Sequence, residues 1–370
     1  MPNDPKPTRP SDDDPRREGR LLDAVARVAP GTELRQGIDD IIRSRQGALI
    51  VVGSPDALSF LYSGGMRLDQ PFTPQLLYEL AKMDGAIIVN EALTRLAYAN
   101  VQLMPDPTIP SNETGTRHRT AERVAKQTGA LVVSISQQRE TVTIFAGQER
   151  YQLDPIATVL AKTNQALAAL ETYRQRLEQA LARLTALEFQ SAVMLDDVLV
   201  VLQRAEMTTR MVDEIERDCI ELGAEGRLIR MQLEELIGEV PAEKRAVVSD
   251  YHASDDPADA AAALARLGAL PYQSLLEVEV LGGLLGYPRV NPLDHVVTPR
   301  GYRALAHIPR LPPAVIKRVV RGMDGLEAIV RAGQRELESV AGVGAVRARE
   351  IREGLRRLQE HNLVDRYLNL

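Results

Sequence analysis

The chain contains no tryptophan, four phenylalanines and a single cysteine, Cys219, in 370 residues. One thiol excludes an internal disulfide and any cysteine-rich zinc site. No apolar run approaches the ~18–20 residues that a membrane-spanning helix needs. The opening stretch, MPNDPKPTRPSDDDPRREGR, is charged and proline-rich and lacks the apolar core of a secretory signal. Residues 1–18 therefore read as a disordered leader, and the whole as a cytoplasmic protein. What is abundant is Ala, Leu, Arg and Glu, which favours helix. With 44% hydrophobic and 26% charged residues, the length suits two or three globular domains.

Charge is unevenly spread. Residues 300–370 hold 14 Lys and Arg against 8 Asp and Glu, a net of +6. The formal total is −6, so the preceding residues carry −12. A basic tail on an acidic body points to a polyanionic partner.

Three regions follow one another. Residues 19–152 alternate between helical and strand patterns. LLDAVARVA and TELRQGIDDIIRSRQ space their apolar residues as helices do, with Gly47 closing the second. ALIVVG (48–53) and GAIIVN (85–90) read as strands. TPQLLYELAKM is a helix with Thr73 as N-cap and Pro74 in its first turn. After the loop around PDPTIPSNETG come the helix RTAERVAKQTG and the strands ALVVSIS and TVTIFAG, an expected antiparallel hairpin. This is an α/β unit with a mixed sheet.

Residues 153–300 show no strand pattern. Leu167, Leu170, Leu177, Leu181, Leu184 and Leu187 recur at spacings of three, four or seven, the mark of a helical bundle or oligomerising spine. His252 and Cys219 have no partner at ligand spacing and read as structural. Residues 301–370 are short, basic and helical. LESVAGVGAVRAREIREGL places Gly342, Val343 and Gly344 between two helices, with Arg347 just beyond. Such a turn is either an ordinary helical hairpin or one whose main-chain N–H groups hold a DNA phosphate, as in the helix–hairpin–helix motif that it resembles. PRLPPAVIKRVVRGM (309–323) reads as a degenerate first copy with LPP in place of the glycines.

The α/β region holds the chemically suggestive stretch GTRHRT (115–120). Arginines at a helix start oppose the helix dipole unless an anion sits before them. Alone, the stretch is either a solvated basic turn or a polyphosphate site. Asp84 in MDGAIIVN is by itself a turn residue. If it faces GTRHRT, a divalent metal bridging carboxylate and phosphate would account for it.

Asp84-Gly85-Ala86 and Arg117-His118-Arg119 together resemble the two signature motifs of the diadenylate cyclase family. The likeness extends through GTRHRTAERVAKQTGALVVSIS. The order of cyclase domain, helical spine and helix–hairpin–helix tail is also similar, so the resemblance covers essentially all of the chain after the leader. It implies condensation of two ATP molecules into cyclic di-AMP with release of two pyrophosphates, supported by Mg²⁺ or Mn²⁺. Asp84 would hold the metal and lie near the attacking 3′-hydroxyl. Gly85 and Ala86 would line the nucleotide, and Leu103 the adenine. Thr116, Arg117, His118, Arg119 and Thr120 would grip the triphosphate, with Ser136 adding a contact. A homo-octamer is expected, nucleoid-associated, with branched or junction DNA bound at the tail without sequence specificity. The competing reading is a non-catalytic nucleotide-sensing, DNA-binding oligomer.

Overall fold

The computed structural model describes the backbone of residues 15–368 and the side chains of residues 17–360. Two compact units emerge: Met1–Gln165 with Ile215–Met231, and Ala166–Glu214 with Gln232–Leu370. Residues 1–14 of the expected leader lie outside the described residues. Helix α1 spans Pro15–Arg27, so the last four positions of that leader are helical, which corrects its boundary.

The first unit runs α1, α2 (Glu33–Arg43), β1 (Ala48–Val52), β2 (Tyr62–Ser63), β3 (Met66–Pro71), α3 (Pro74–Leu80), β4 (Ala86–Val89), β5 (Arg95–Leu103), α4 (Thr116–Thr128), β6 (Leu131–Ser136), β7 (Thr141–Ala146) and β8 (Glu149–Gln152). The sheet order is β2-β5-β4-β1-β6-β7-β8, with β3 also paired to β5. Among the described residues only β1 and β4 run parallel, so the sheet is mixed as expected, and β6 and β7 form the expected hairpin. Thr73 caps α3 by accepting from the Leu76 amide at 3.2 Å. The period-two alternation of β1 divides the core. Ala48, Ile50 and Val52 share one cluster with Leu21 of α1, Ile38 of α2 and Leu77 of α3, while Leu49 and Val51 share the other with Ala121 and Val124 of α4.

Several elements depart from the sequence reading. Strands β2, β3, β5 and β8 have no counterpart in it; β5, nine residues long, supplies Leu103. Gly47 does not end α2. The helix stops at Arg43, Ser44 caps it, and Arg45 takes a positive φ of 55°.

Beyond the sheet come α5 (Ile156–Phe189), α6 (Leu195–Leu222), α7 (Arg227–Ile237), α8 (Val240–Tyr251), α9 (Pro257–Gly268) and α10 (Val278–Leu284). The leucine stripe of α5 is inward: Leu170, Leu177 and Leu184 are fully buried. The tail follows as α11 (Tyr302–Ala306), α12 (Pro313–Gly322), α13 (Gly325–Arg331), α14 (Gln334–Glu338) and α15 (Ala345–Leu368). It has its own core of Leu305, Val319, Ile329, Leu337 and Ile351. No helix among the described residues is long and apolar enough to cross a membrane.

Candidate active site

Helix α4 starts without the usual help. Its N-cap is Gly115, which offers no side-chain acceptor, and its first turn carries no acid. The leading N–H groups are thus left for another acceptor, and Arg117 adds positive charge to the positive dipole end. The other end closes conventionally, with Gly129 left-handed at φ 72°.

In front of this helix start lies a cavity of about 530 Å³. Thr116, Arg117, His118 and Thr120 line one side, Gly85, Ala86 and Leu103 another, and Ser136 the end of β6. Eight of the ten sequence-predicted positions therefore share one cavity. Gly85 can belong to that wall only as glycine. Its φ is +92°, and a Cβ there would lie 2.8 Å from the Val101 carbonyl of β5. Leu49, Val101, Gln102, Gln137 and Gln138 also line the cavity, and the sequence reading misses them. Gln137 and Gln138 sit in the polar β6–β7 turn, where nothing in the pattern marks them.

Two expected residues are not in the lining. Asp84 is exposed and adjoins the wall through Gly85. Arg119 turns outward, donating from Nε to the Glu113 carbonyl and from Nη2 to the Thr114 carbonyl, both at 3.3 Å. It fastens the loop that precedes α4. Other α4 side chains do the same: Arg123 donates to the Ile109 carbonyl at 2.9 Å and Lys126 to the Pro110 carbonyl at 2.9 Å. Glu122, nearly buried, accepts from Ser111, from the Asn112 amide and from Lys126.

His118 is half-buried, with its ring edge-to-face against Phe145 at 6.4 Å between centroids. Burial lowers its pKa from the ordinary value; Glu113 opposes this, and Arg150, Arg117 and Arg139 reinforce it. At neutral pH the ring is therefore neutral, able to donate from one nitrogen and accept at the other.

A single exposed carboxylate is a modest metal site, and no group of three or more His, Cys, Asp or Glu suited to a metal exists among the described residues. That set fits Mg²⁺, which keeps several waters and takes one or two carboxylates plus substrate phosphates. It does not fit a closed protein cage.

In the tail, Gly342 sits between α14 and α15 at φ +81°, and a Cβ there would lie 2.6 Å from Arg318 Nη2. Val343 is buried, whereas a Cβ on Gly344 would meet nothing within 4 Å. Arg347 Nη1 donates to the Gly342 carbonyl at 2.8 Å. The turn between α11 and α12 repeats this shape: Arg310 takes the positive φ, 63°, and Leu311 is buried like Val343. Pro312 and Pro313 follow it and have no N–H to offer.

Comparison with known proteins accounts for this arrangement. Residues 35–150 match the family described as DisA bacterial checkpoint controller nucleotide-binding, and residues 153–293 its linker region. A DNA integrity scanning protein DisA from Symbiobacterium thermophilum is 50% identical over 93% of this chain and 97% of its own. Those of Carboxydothermus hydrogenoformans and Acetivibrio thermocellus are 48% and 45% identical over 93% and 95% of this chain, and 98% of each of theirs. With so high an identity along nearly the full length of both partners, the chain belongs to the DNA integrity scanning protein family, and it is an enzyme, a nucleotidyltransferase of the diadenylate cyclase kind.

Proposed function

We propose that the cavity before α4 binds ATP and that two such sites, facing one another in an assembly of this chain, make cyclic di-AMP. The observation that carries this reading is the meeting of Gly85-Ala86 and Thr116–His118 in one cavity at an uncapped helix start. Free N–H groups, a forked guanidinium and the Ser136 hydroxyl suit phosphate oxygens. The glycine-lined wall admits a flat base or ribose against the backbone, with Leu103 giving the adenine an apolar surface.

The reaction is in-line transfer at phosphorus. The 3′-hydroxyl oxygen of one ATP bonds to the α-phosphorus of the other, the bond to pyrophosphate breaks, and the hydroxyl proton is released. The reciprocal step closes the ring and frees the second pyrophosphate. The protein supplies positioning and charge neutralisation, which dominate phosphoryl-type transfer. Arg117, Thr116, Thr120 and neutral His118 hold the triphosphate, and Arg119 reaches it on releasing its two long carbonyl bonds. Asp84 orients the hydroxyl and is the residue that would hold Mg²⁺ or Mn²⁺, an ion that neutralises phosphate charge when bound. The symmetric product requires an isologous pair of sites, and the helical region is the means of gathering copies, with an octamer as the proposed assembly.

The tail is proposed to bind DNA phosphates at Gly342, Val343 and Gly344, aided by Arg347, with a preference for branched DNA and a location at the nucleoid. Incubation of the purified chain with ATP and Mg²⁺ or Mn²⁺ should give cyclic di-AMP by mass spectrometry. ATP binding without product under both metals would instead favour a nucleotide-sensing role.

A further inference from the structure

Gly47 lies just before β1, where its contribution is the space that it leaves. A Cβ at this position would lie 2.1 Å from Arg117 Nη1 and 3.0 Å from Arg117 Cζ. The guanidinium of Arg117 thus lies directly over residue 47, and Nη1 donates to the Ile135 carbonyl at 3.4 Å. Ile135 is the register partner of Ala48 on β1 and neighbours Ser136, which lines the cavity. The arginine is laid across the junction of β1 and β6, at the cavity's edge, by a gap no other residue type would leave.

The backbone does not demand glycine here. Gly47 is absent from the positive-φ positions, so alanine is conformationally ordinary. After Arg117, its nearest obstacle is the Ile135 carbonyl at 3.1 Å, a matter of a few tenths of an ångström. What alanine must displace is the far end of a flexible side chain, so the fold survives and the guanidinium moves.

We infer that Gly47 is a positioning residue for ATP, acting wholly through Arg117. By leaving room for the guanidinium, it keeps that group fixed against the sheet beside the phosphate end of the cavity. The 3.4 Å bond to Ile135 is long enough to be exchanged for a phosphate oxygen at small cost. An alanine would push the group toward solvent, and ATP would then have to order a free, rotamer-rich side chain on binding. This inference rests on the reading of Arg117 as a phosphate-holding residue.

The test is a double-substitution cycle on the full-length chain, with 3′-deoxy-ATP as the probe because it binds but cannot cyclise. Gly47→Ala should weaken binding about tenfold, the loss of one charge-assisted hydrogen bond, with little change in thermal stability. In an Arg117→Ala background the same substitution should change nothing further. Arg117→Lys supplies a second comparison, since its compact ammonium has no fork to lie over residue 47, and Gly47→Ala should matter little there. Unchanged or tighter binding by Gly47→Ala overturns the inference, as does an equal loss in both backgrounds, which would mean that the backbone carries the effect. Undiminished binding by Arg117→Ala alone would remove the phosphate role of Arg117, and the inference with it.

Discussion

Glu188 of α5 and Arg303 of α11 form an ion pair in which both side chains are almost wholly buried. Arg303 Nε donates to Glu188 Oε1 at 3.0 Å, and Nη2 donates to both Glu188 Oε2 and Thr185 Oγ1. Tyr251 of α8 donates its hydroxyl to Glu188 at 2.8 Å. One polar knot therefore ties the first helix of the tail to two helices of the bundle. Removing one partner strands a buried charge, which typically costs ~3–5 kcal/mol. Arg303→Met should lower the unfolding free energy by about that amount, and adding Glu188→Leu should restore much of it. Denaturant unfolding followed by circular dichroism checks both. Equal losses for the single and double variants would contradict the coupling.

His307, at the end of α11, gives the same joint a dependence on pH. Its Nε2 lies 2.8 Å from Glu243 Oε1, and that hydrogen bond raises its pKa, against the opposing effect of burial. A histidine with a raised folded value contributes stability that is fully present below the ordinary value of about 6.5. The contribution is lost as pH rises through the higher folded value. Melting temperature should therefore fall as pH rises above about 6.5, and His307→Gln should flatten that part of the curve. A variant with the wild-type pH profile would exclude this pair as the cause.

Much of this is legible in the sequence because the relevant signals are local. Thr73 before Pro74 announces a capped helix, and the hairpin of β6 and β7 needs only two apolar runs and a polar turn. Strand β5 is hidden because Ala97, Ala99 and Asn100 dilute its alternation, and partners far away in sequence stabilise it. Gly47 misleads because glycine after a helix usually means a stop, whereas here it makes room for an arginine seventy residues on. Arg117 and Arg119 look equivalent as letters. Two positions apart on a helix, they cannot share a face.

That difference separates their effects on ATP. Arg117 lines the cavity, so Arg117→Ala should weaken binding by ~1.5–3 kcal/mol, the range for hydrogen bonds to charged groups. Arg119→Ala should weaken it less, and it should also loosen the Glu113–Thr114 segment that Arg119 holds. Hydrogen exchange across 109–115 should speed up in Arg119→Ala and stay unchanged in Arg117→Ala. DNA binding should survive both substitutions. Its loss would make GTRHRT part of a nucleic-acid surface.

Asp84 offers a cleaner separation of binding from chemistry. The side chain is exposed and outside the cavity lining, so its replacement disturbs no packing. Asp84→Asn should abolish cyclic di-AMP synthesis while ATP still binds, more weakly, to a folded and assembled protein. Calorimetric titration with ATP beside a mass-spectrometric product assay reads both. Near-wild-type synthesis by this variant would remove Asp84 from the reaction.

The two tail glycines predict different outcomes on substitution, and the difference tests the proposed DNA contact. Alanine at Gly342 would be strained by its positive φ and would strike Arg318, so any loss there has two explanations. Alanine at Gly344 meets nothing within 4 Å in the protein, so its methyl group can obstruct only an incoming phosphate. Gly344→Ala should therefore fold normally, keep basal cyclase activity and lose about tenfold in DNA affinity, the equivalent of ~1.4 kcal/mol. Wild-type binding should ignore base sequence and fall steeply with salt, as phosphate-directed binding does. Junction DNA should lower the cyclase output of the full-length chain, because even small misalignment of reacting groups can reduce rate about 100-fold. A chain truncated before Arg300 should make cyclic di-AMP and ignore junctions. Equal inhibition of both forms would mean that DNA competes with ATP at the arginines in the first turn of α4. A full-length enzyme indifferent to junctions would leave the tail a tether to DNA with no influence on synthesis.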